Sequence, residues 1–353
     1  MITKIGLDLG YANITLSNVA AEVYREPSVV LIDKKTRRVV SVGNNAGGEN
    51  MSTEDDKMLV RPFKNGLLYS SDLTKEIIRH AIRAIGRYDK LRCIVALPSD
   101  FVPKQENEIF NMLTDAGVDE CFSVNPAVAA IIGAGYSPKI SAISVNIGAS
   151  VTEIAVLHNG QVLMTTRKDV GGEDFDKAIK QYIFDQGDMT VSLLVARTIK
   201  EKLGAVWQGK PSESIDIEGT LSLTGNKVRM SISTEDVVGV FEKPLQSLLL
   251  AIADTIKKIP LDYVEAIFEN GIILSGGGAE IFGLDTMMGK VYGIPTTLAP
   301  TPMDCVAKGL SRIHTFMPPR IRSNRKNITS NLAKYYEAKK TDKKIAGGRK
   351  NEE

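Results

Sequence analysis

The sequence predicts an α/β protein built from two related domains that face each other across a phosphate-binding cleft. Three observations predict it. Residues 142–147 and 151–156 are short apolar runs joined by the small residues Gly148, Ala149 and Ser150. They read as a hairpin whose bare backbone N–H groups can cradle a phosphate. A second copy opens the chain: around Gly10, Tyr11, Ala12 and Asn13 the order of residue types repeats, so that Asp8 falls on Asn146, Gly10 on Gly148 and Ala12 on Ser150. A repeated unit implies two related halves, and two facing hairpins make a clamp. Third, the apolar strand 272–274 runs into Ser275, Gly276, Gly277, Gly278 and Ala279 and then a helical pattern, which offers a nucleotide bare backbone and the positive end of a helix.

Taken in order, the first hairpin is followed by a strand over 26–32, a turn over 33–36 and a return strand over 39–43. Residues 44–57 are polar and read as loop or short helix, and 29–66 read as a small inserted subdomain. A helix over about 72–85 repeats its apolar residues at Leu73, Ile77, Ile78, Ala81 and Ile85 and ends near Gly86. A strand over 92–98 leads to a helix over 104–116 that stops at Gly117. A strand over 121–124 leads to Asn125 and to Pro126, which suits the first turn of a helix of small residues running to Gly135. The second half repeats the plan: hairpin, third strand over 161–166, a turn at Gly171 and Gly172, and a helix over about 174–184. A helical pattern over 191–203, an insertion over 208–233 with two short strands, and a largely helical 234–259 follow. Strands alternating with helices indicate α/β architecture. The expected division is 1–145, 146–319 with a smaller subdomain over about 176–259, and a tail over 320–353.

Composition narrows the classes. At 353 residues, with 43% hydrophobic and 24% charged content, the chain has the make-up of an ordinary globular protein with room for two cores. Cys93, Cys121 and Cys305 are far apart, which argues against a disulfide framework or zinc site and for a reducing interior. His80, His158 and His314 are equally scattered. Met1 to Lys4 run straight into a strand with no signal-peptide pattern, and no apolar run approaches the roughly 20 residues of a bilayer span. A cytoplasmic protein is expected. The net charge of +2 hides an asymmetry: residues 320–353 carry eleven Lys or Arg against four Asp or Glu, and the remainder is mildly acidic.

Asp8 ends an apolar strand, where a carboxylate is costly unless paired or near a cation; a Mg2+ held through water and facing phosphates would account for it. Lys200 and Glu201 alone read as a solvated helix face. The two hairpins, the strand–Pro–helix connection and the Gly-Gly-Gly-Ala turn together resemble the actin, Hsp70 and sugar-kinase superfamily. Within it the chain is similar to MreB, the bacterial actin family. Residues 26–30, 61–66, 170–176 and 272–283 match MreB stretches, and the likeness runs nearly continuously from Lys4 to about Ile313. It implies an actin-like ATPase fold with an ATP cleft between two domains, and head-to-tail self-association into paired protofilaments. It implies too that Tyr11, Ala12 and Asn13 hold the β- and γ-phosphates, where Tyr11 replaces the usual Thr. Gly148, Ala149 and Ser150 would face them, Lys200 and Glu201 would lie near ribose and base, and Gly276, Gly277, Gly278 and Ala279 would contact adenosine.

Three departures bear on chemistry. MreB's second hairpin reads D-I-G-G-G-T-T-E and its strand–helix connection E-E-P. Here the metal-side Asp is Asn146, the hydrolytic Glu is Asn125, and the first Thr is Val151. An amide has no basic oxygen at neutral pH, so Asn125 cannot take a proton from water, though it can orient one by hydrogen bonding. Asn146 removes a charge beside the metal and weakens that contact. The expectation is ATP binding with slow hydrolysis; the altered site resembles that of diverged MreB copies in wall-less helical bacteria, and the filaments would serve cell shape, helicity or motility. The alternative is a small-molecule kinase of the same superfamily, which would need an Asp base. For partners, the basic residues of 320–353, with Tyr335 and Tyr336, suit an anionic membrane at the inner face or else a disordered solvated tail. Other MreB-type proteins are further candidates; nucleic acid is the weaker one, because no recognisable module is present.

Overall fold

Two sheets of the same plan carry the duplication in the computed structural model, which describes residues 2–20, 22–46, 56–64, 67–319, 321 and 323–348. In the first domain Ile2–Leu9, Asn13–Asn18 and Val23–Pro27 form an antiparallel meander. Lys90–Ala96 and then Glu120–Val124 add to it in parallel. In the second domain Ala142–Ile147, Thr152–His158 and Gln161–Lys168 repeat the meander, and Ile272–Ser275 and Thr296–Leu298 supply the parallel strands. Asp8 pairs with Thr15 and Asn146 with Glu153, so the two hairpins share register as well as sequence.

Two helices pass between the sheets, Pro126–Gly133 and Cys305–Phe316. Their backbones touch: a Cβ on Gly133 would lie 1.8 Å from the Cys305 carbonyl oxygen, and one on Gly309 1.8 Å from that of Ala129. Each helix is tied to a meander by a buried hydroxyl, Ser144 Oγ donating to the Ala127 carbonyl and Ser17 Oγ to that of Ala307, both at 2.7 Å. Arg312 caps the first helix by donating to the Ile132 and Gly133 carbonyls. Smaller sheets flank the domains: Val30–Asp33, Val39–Val42 and Lys57–Val60 on one, Met189–Thr190, Ser214–Leu221 and Lys227–Ser233 on the other.

Two expectations are corrected. Residues 26–32 are two strands, because Ser28 turns the chain at Pro27 by donating through N and Oγ to Ala12 and Gly10. Val23–Pro27 stays in the main sheet and Val30–Asp33 enters the small one. The stretch 234–259 is largely helical as expected: Thr234–Val238, a 3-10 turn Gly239–Phe241 and Glu242–Ile256 follow one another. The largest difference is the tail, expected to be disordered. Arg325–Asn327 adds a sixth strand parallel to Glu120–Val124, and a helix spans Leu332–Gly348. An open strand edge supplies backbone partners whatever the side chains; Ile328 and Leu332 then bury almost completely, a contribution invisible in a composition dominated by charge. The expectations for residues 47–55, 65–66 and 349–353 lie outside the described residues. Among the described residues no helix is long and apolar enough to cross a membrane.

Candidate nucleotide-binding cleft

The first hairpin is gripped from behind. Gly10, where a Cβ would fall 2.6 Å from the Asn13 carbonyl oxygen, lets the chain fold tightly. The Gly10 carbonyl accepts from Ser28 Oγ at 2.7 Å, that of Tyr11 from Arg61 at 3.1 Å, and that of Ala12 from Ser28 N and Arg61. In a trans peptide the next N–H points the opposite way, so the N–H groups of Tyr11, Ala12 and Asn13 turn away from these partners. The second hairpin is held alike: the carbonyls of Gly148 and Ala149 accept from the N–H groups of Gly172 and Glu173 at 2.9 and 2.7 Å. That turns the N–H groups of Ala149 and Ser150 the other way. Gly148 donates its own N–H to Val151 at 2.9 Å and so contributes shape rather than a donor. Ser150 Oγ is buried with no hydrogen-bond partner in the structure, the condition a phosphate oxygen would relieve. Tyr11 reaches from the first hairpin to the first turn of the helix Gly172–Gly187, its hydroxyl donating to Glu173 Oε1 at 3.2 Å while its ring lies under the Arg61 guanidinium.

Burial pushes the Asp8 carboxyl up to about 6, against the lowering influence of Arg25. Among the described residues no cluster of three or more acidic, His or Cys side chains could hold a metal alone. One carboxylate short of a cation fits the mode in which Mg2+ keeps its waters and leans on phosphates. Asn146 accepts from Ser275 Oγ at 3.2 Å through its Oδ1, so that oxygen is already shared.

Asn125 is a helix cap. Its Oδ1 accepts from Ala127 N and Val128 N at 3.0 and 3.2 Å, and its Nδ2 reaches Glu153 Oε2 at 3.4 Å. Only the Nδ2 side is left to orient a water. Glu153 is 2% exposed, accepts from Ser99 Oγ across the cleft at 2.9 Å, and leaves Oε1 without a partner. Loss of hydration raises its carboxyl from 4.5 to about 7, partly offset by the bonds from Ser99 and Asn125. The folded value lies above the unfolded one, so its contribution to stability is intact below the unfolded value and is lost as pH rises through about 7. By about pH 8 the ionised carboxylate should disfavour folding by about 3 kcal/mol. Thermal melts of Glu153→Gln should therefore match the parent near pH 4.5 and exceed it increasingly toward pH 8; a constant difference across that range would contradict the assignment.

At the turn expected to meet adenosine, the structure gives a packing reason for the glycines. Gly276, at φ +82°, and Gly278 are required because a Cβ would lie 2.3 Å from the Ile147 carbonyl oxygen and 2.4 Å from Ile147 Cγ2. Gly278 and Ala279 are buried against that strand, leaving Gly276 and Gly277 partly open. The strand runs into a single 3-10 turn, Gly277–Glu280, and the α-helix starts only at Leu284, so the expected helix N-terminus is displaced from the glycines. Lys200 is committed inside its domain, 2.6 Å from Asp176 and donating to the Gly172 carbonyl at 2.8 Å; its bearing on the cleft is through the Gly172 backbone. Burial and the neighbouring charges of Glu201 and Asp304 raise the Glu280 carboxyl, which places Glu201 beside this turn.

Arg61, Glu153 and Glu173 were not singled out from the sequence. Arg61 and Glu173 lie in stretches 61–66 and 170–176, and Glu153 closes the second hairpin; what distinguishes them is contacts between segments far apart in the chain. A family model described as MreB/Mbl protein matches residues 2–319, stopping where the tail begins. The chain is 28% identical over 313 residues to the cell shape-determining protein Mbl of Bacillus subtilis (strain 168), covering 86% of this chain and 93% of that protein. It is 28% identical over 317 residues to the cell shape-determining protein MreB of Escherichia coli (strain K12), with 86% and 91% covered. Among solved structures, MreB 5 of Spiroplasma citri bound to AMPPNP superposes with a TM-score of 0.84 at 22% identity, over 89% of this chain and 96% of that one. The MamK double helical filament superposes with a TM-score of 0.77 at 20% identity, over 90% and 100%. At these identities the structures speak to the fold.

Proposed function

The chain belongs to the MreB/Mbl family, and from that premise we propose that it is a nucleotide-dependent bacterial actin that polymerises into filaments for cell shape, helicity or motility. The observation that carries the nucleotide reading is the pair of hairpins, each held from behind so that its N–H groups turn the other way, with the orphaned Ser150 Oγ on one and Tyr11 bridging to Glu173 from the other. Similar folds are described bound to AMPPNP or ADP, and as a double helical filament. Tyr11, Ala12 and Asn13 would grip the β- and γ-phosphates from one side and Ala149 and Ser150 from the other, with Gly276, Gly277 and Glu201 nearest the adenosine. Mg2+ would be held through water by Asp8, more weakly from Asn146, and would supply neutralisation of phosphate charge. With Asn125 a cap, hydrolysis is slow. A small-molecule kinase lacks support, since the family is MreB/Mbl and neither amide is a base.

Negative-stain microscopy in ATP, ADP and a non-hydrolysable analogue, beside calorimetric titration of ATP, tests this. Filaments that depend on nucleotide are expected; a chain that neither takes up adenine nucleotide nor assembles would refute it. We further propose that the tail helix meets anionic lipid through charge alone. Tyr335 and Tyr336 pack into the core, Tyr336 edge-on to Phe316, while Lys334, Lys339 and Lys340 stay exposed. Each basic residue near such a surface contributes about 1 kcal/mol, so Lys334, Lys339 and Lys340 changed together to Gln should sediment less with acidic liposomes; unchanged sedimentation would remove the lipid role.

A further inference from the structure

The tail lies beyond the family-matched residues, yet it ends up against the cleft. Cys121 N donates to the Asn324 carbonyl at 2.8 Å, Ile328 N to that of Ser123 at 3.0 Å, and Asn125 N to Thr329 Oγ1 at 3.0 Å. The last bond stands where the parallel ladder has run out. Beyond the strand a backbone acceptor is no longer in register, and a hydroxyl supplies it. It holds the one residue at which a β-strand ends, a helix begins, and a side chain turns toward Glu153. Asn327 Oδ1 in turn accepts from Thr329 N at 3.0 Å, so the turn bearing the hydroxyl is itself fixed.

The same segment also reaches the other domain. Its strand is anchored to the first domain by Arg325, which donates to Asn111 Oδ1 and Thr114 Oγ1. The helix that follows packs Ala333 onto the hairpin turn of the second, where a Cβ on Gly160 would lie 2.4 Å from Ala333 Cβ. Glu337 pairs with Lys139 at 3.6 Å. A strand in the first sheet and a helix against the hairpin turn of the second make a strap over the two domains.

We infer that the C-terminal strap, through the bond from Asn125 N to Thr329 Oγ1, is a positioning device for Asn125 that sets the rate of nucleotide turnover. This rests on the ATP-binding reading above and adds to it a control built from residues that the rest of the family match does not include. Loss of that acceptor leaves a backbone N–H at the cleft wall unpaired and lets the strand–helix junction shift. A misplacement of this kind in a water-orienting group costs rate without touching the phosphate grip.

The experiment uses the full chain. Thr329→Val keeps the shape and removes the acceptor; Thr329→Ser restores it. Single-turnover phosphate release is expected to fall about tenfold in Thr329→Val with ATP affinity unchanged, and to recover in Thr329→Ser. Amide exchange of the peptide spanning 120–128 should quicken in Thr329→Val alone. Thr329→Val releasing phosphate at the parent rate, or Thr329→Ser failing to rescue it, overturns the inference. A parent chain that binds no ATP in the calorimeter overturns instead the function on which it rests.

Discussion

Single-turnover phosphate release should rise about 100-fold when Asn125 is replaced by Glu. The parent's Asn125 Oδ1 is occupied by two helix N–H groups and its Nδ2 is aimed at Glu153, so no atom of this side chain can accept a proton from water. A carboxylate introduced beside Glu153, itself raised to about 7 by burial, makes a pair in which both cannot readily ionise. One member holds the proton and the other is left as a base at neutral pH. The cost is the cap: a longer side chain meets Ala127 N and Val128 N less well, at about 1 kcal/mol of stability. Asn125→Gln separates length from basicity, since it suffers the same loss of cap and gains no base. The two variants should melt alike near pH 4.5, where both carboxyls hold their protons, and differ in phosphate release at neutral pH. Equal rates for both, or no gain over the parent, would remove the expectation that the missing carboxylate makes hydrolysis slow.

The duplicated plan was legible because it is local: alternation and small-residue turns are written in consecutive positions, and both hairpins and their register follow. Asp8 and Asn146 were found the same way, through repetition. Glu153 sits in the same hairpin and escaped, because its importance comes from Ser99 and Asn125 on other segments and from the burial they create together. Gly276 and Gly278 were identified and their reason was not: glycine at a strand end reads equally as room for a ligand or room for Ile147. The tail was misread for a complementary cause. Charge density predicts solvation when side chains decide the outcome, but here an unpaired strand edge and two apolar residues, Ile328 and Leu332, decide it.

Gly309→Ala should lower stability by about 3 kcal/mol. Its methyl would lie 1.8 Å from the Ala129 carbonyl oxygen and 2.6 Å from its carbon. These are backbone atoms of the facing helix, so no rotamer change can make room and the helices must part. The crossing is reciprocal, because Gly133 meets Cys305 in the same manner; Gly133→Ala should cost a similar amount, and the double variant less than twice that, since one separation relieves both contacts. Gly239→Ala is the control. Its φ is −75° and nothing lies within 4 Å of the added carbon, so reduced freedom of the unfolded chain should leave it unchanged or stabilise it by up to about 1 kcal/mol. Differential scanning of the four variants reads this directly, and Gly309→Ala melting with the parent would refute it. The consequence extends to the cleft, for the helix that must move begins at Asn125 and its neighbour is bonded to Ser17 of the first meander. Spreading the pair separates the two hairpins at their base, so the surviving folded fraction of Gly309→Ala should also bind ATP more weakly than Gly239→Ala.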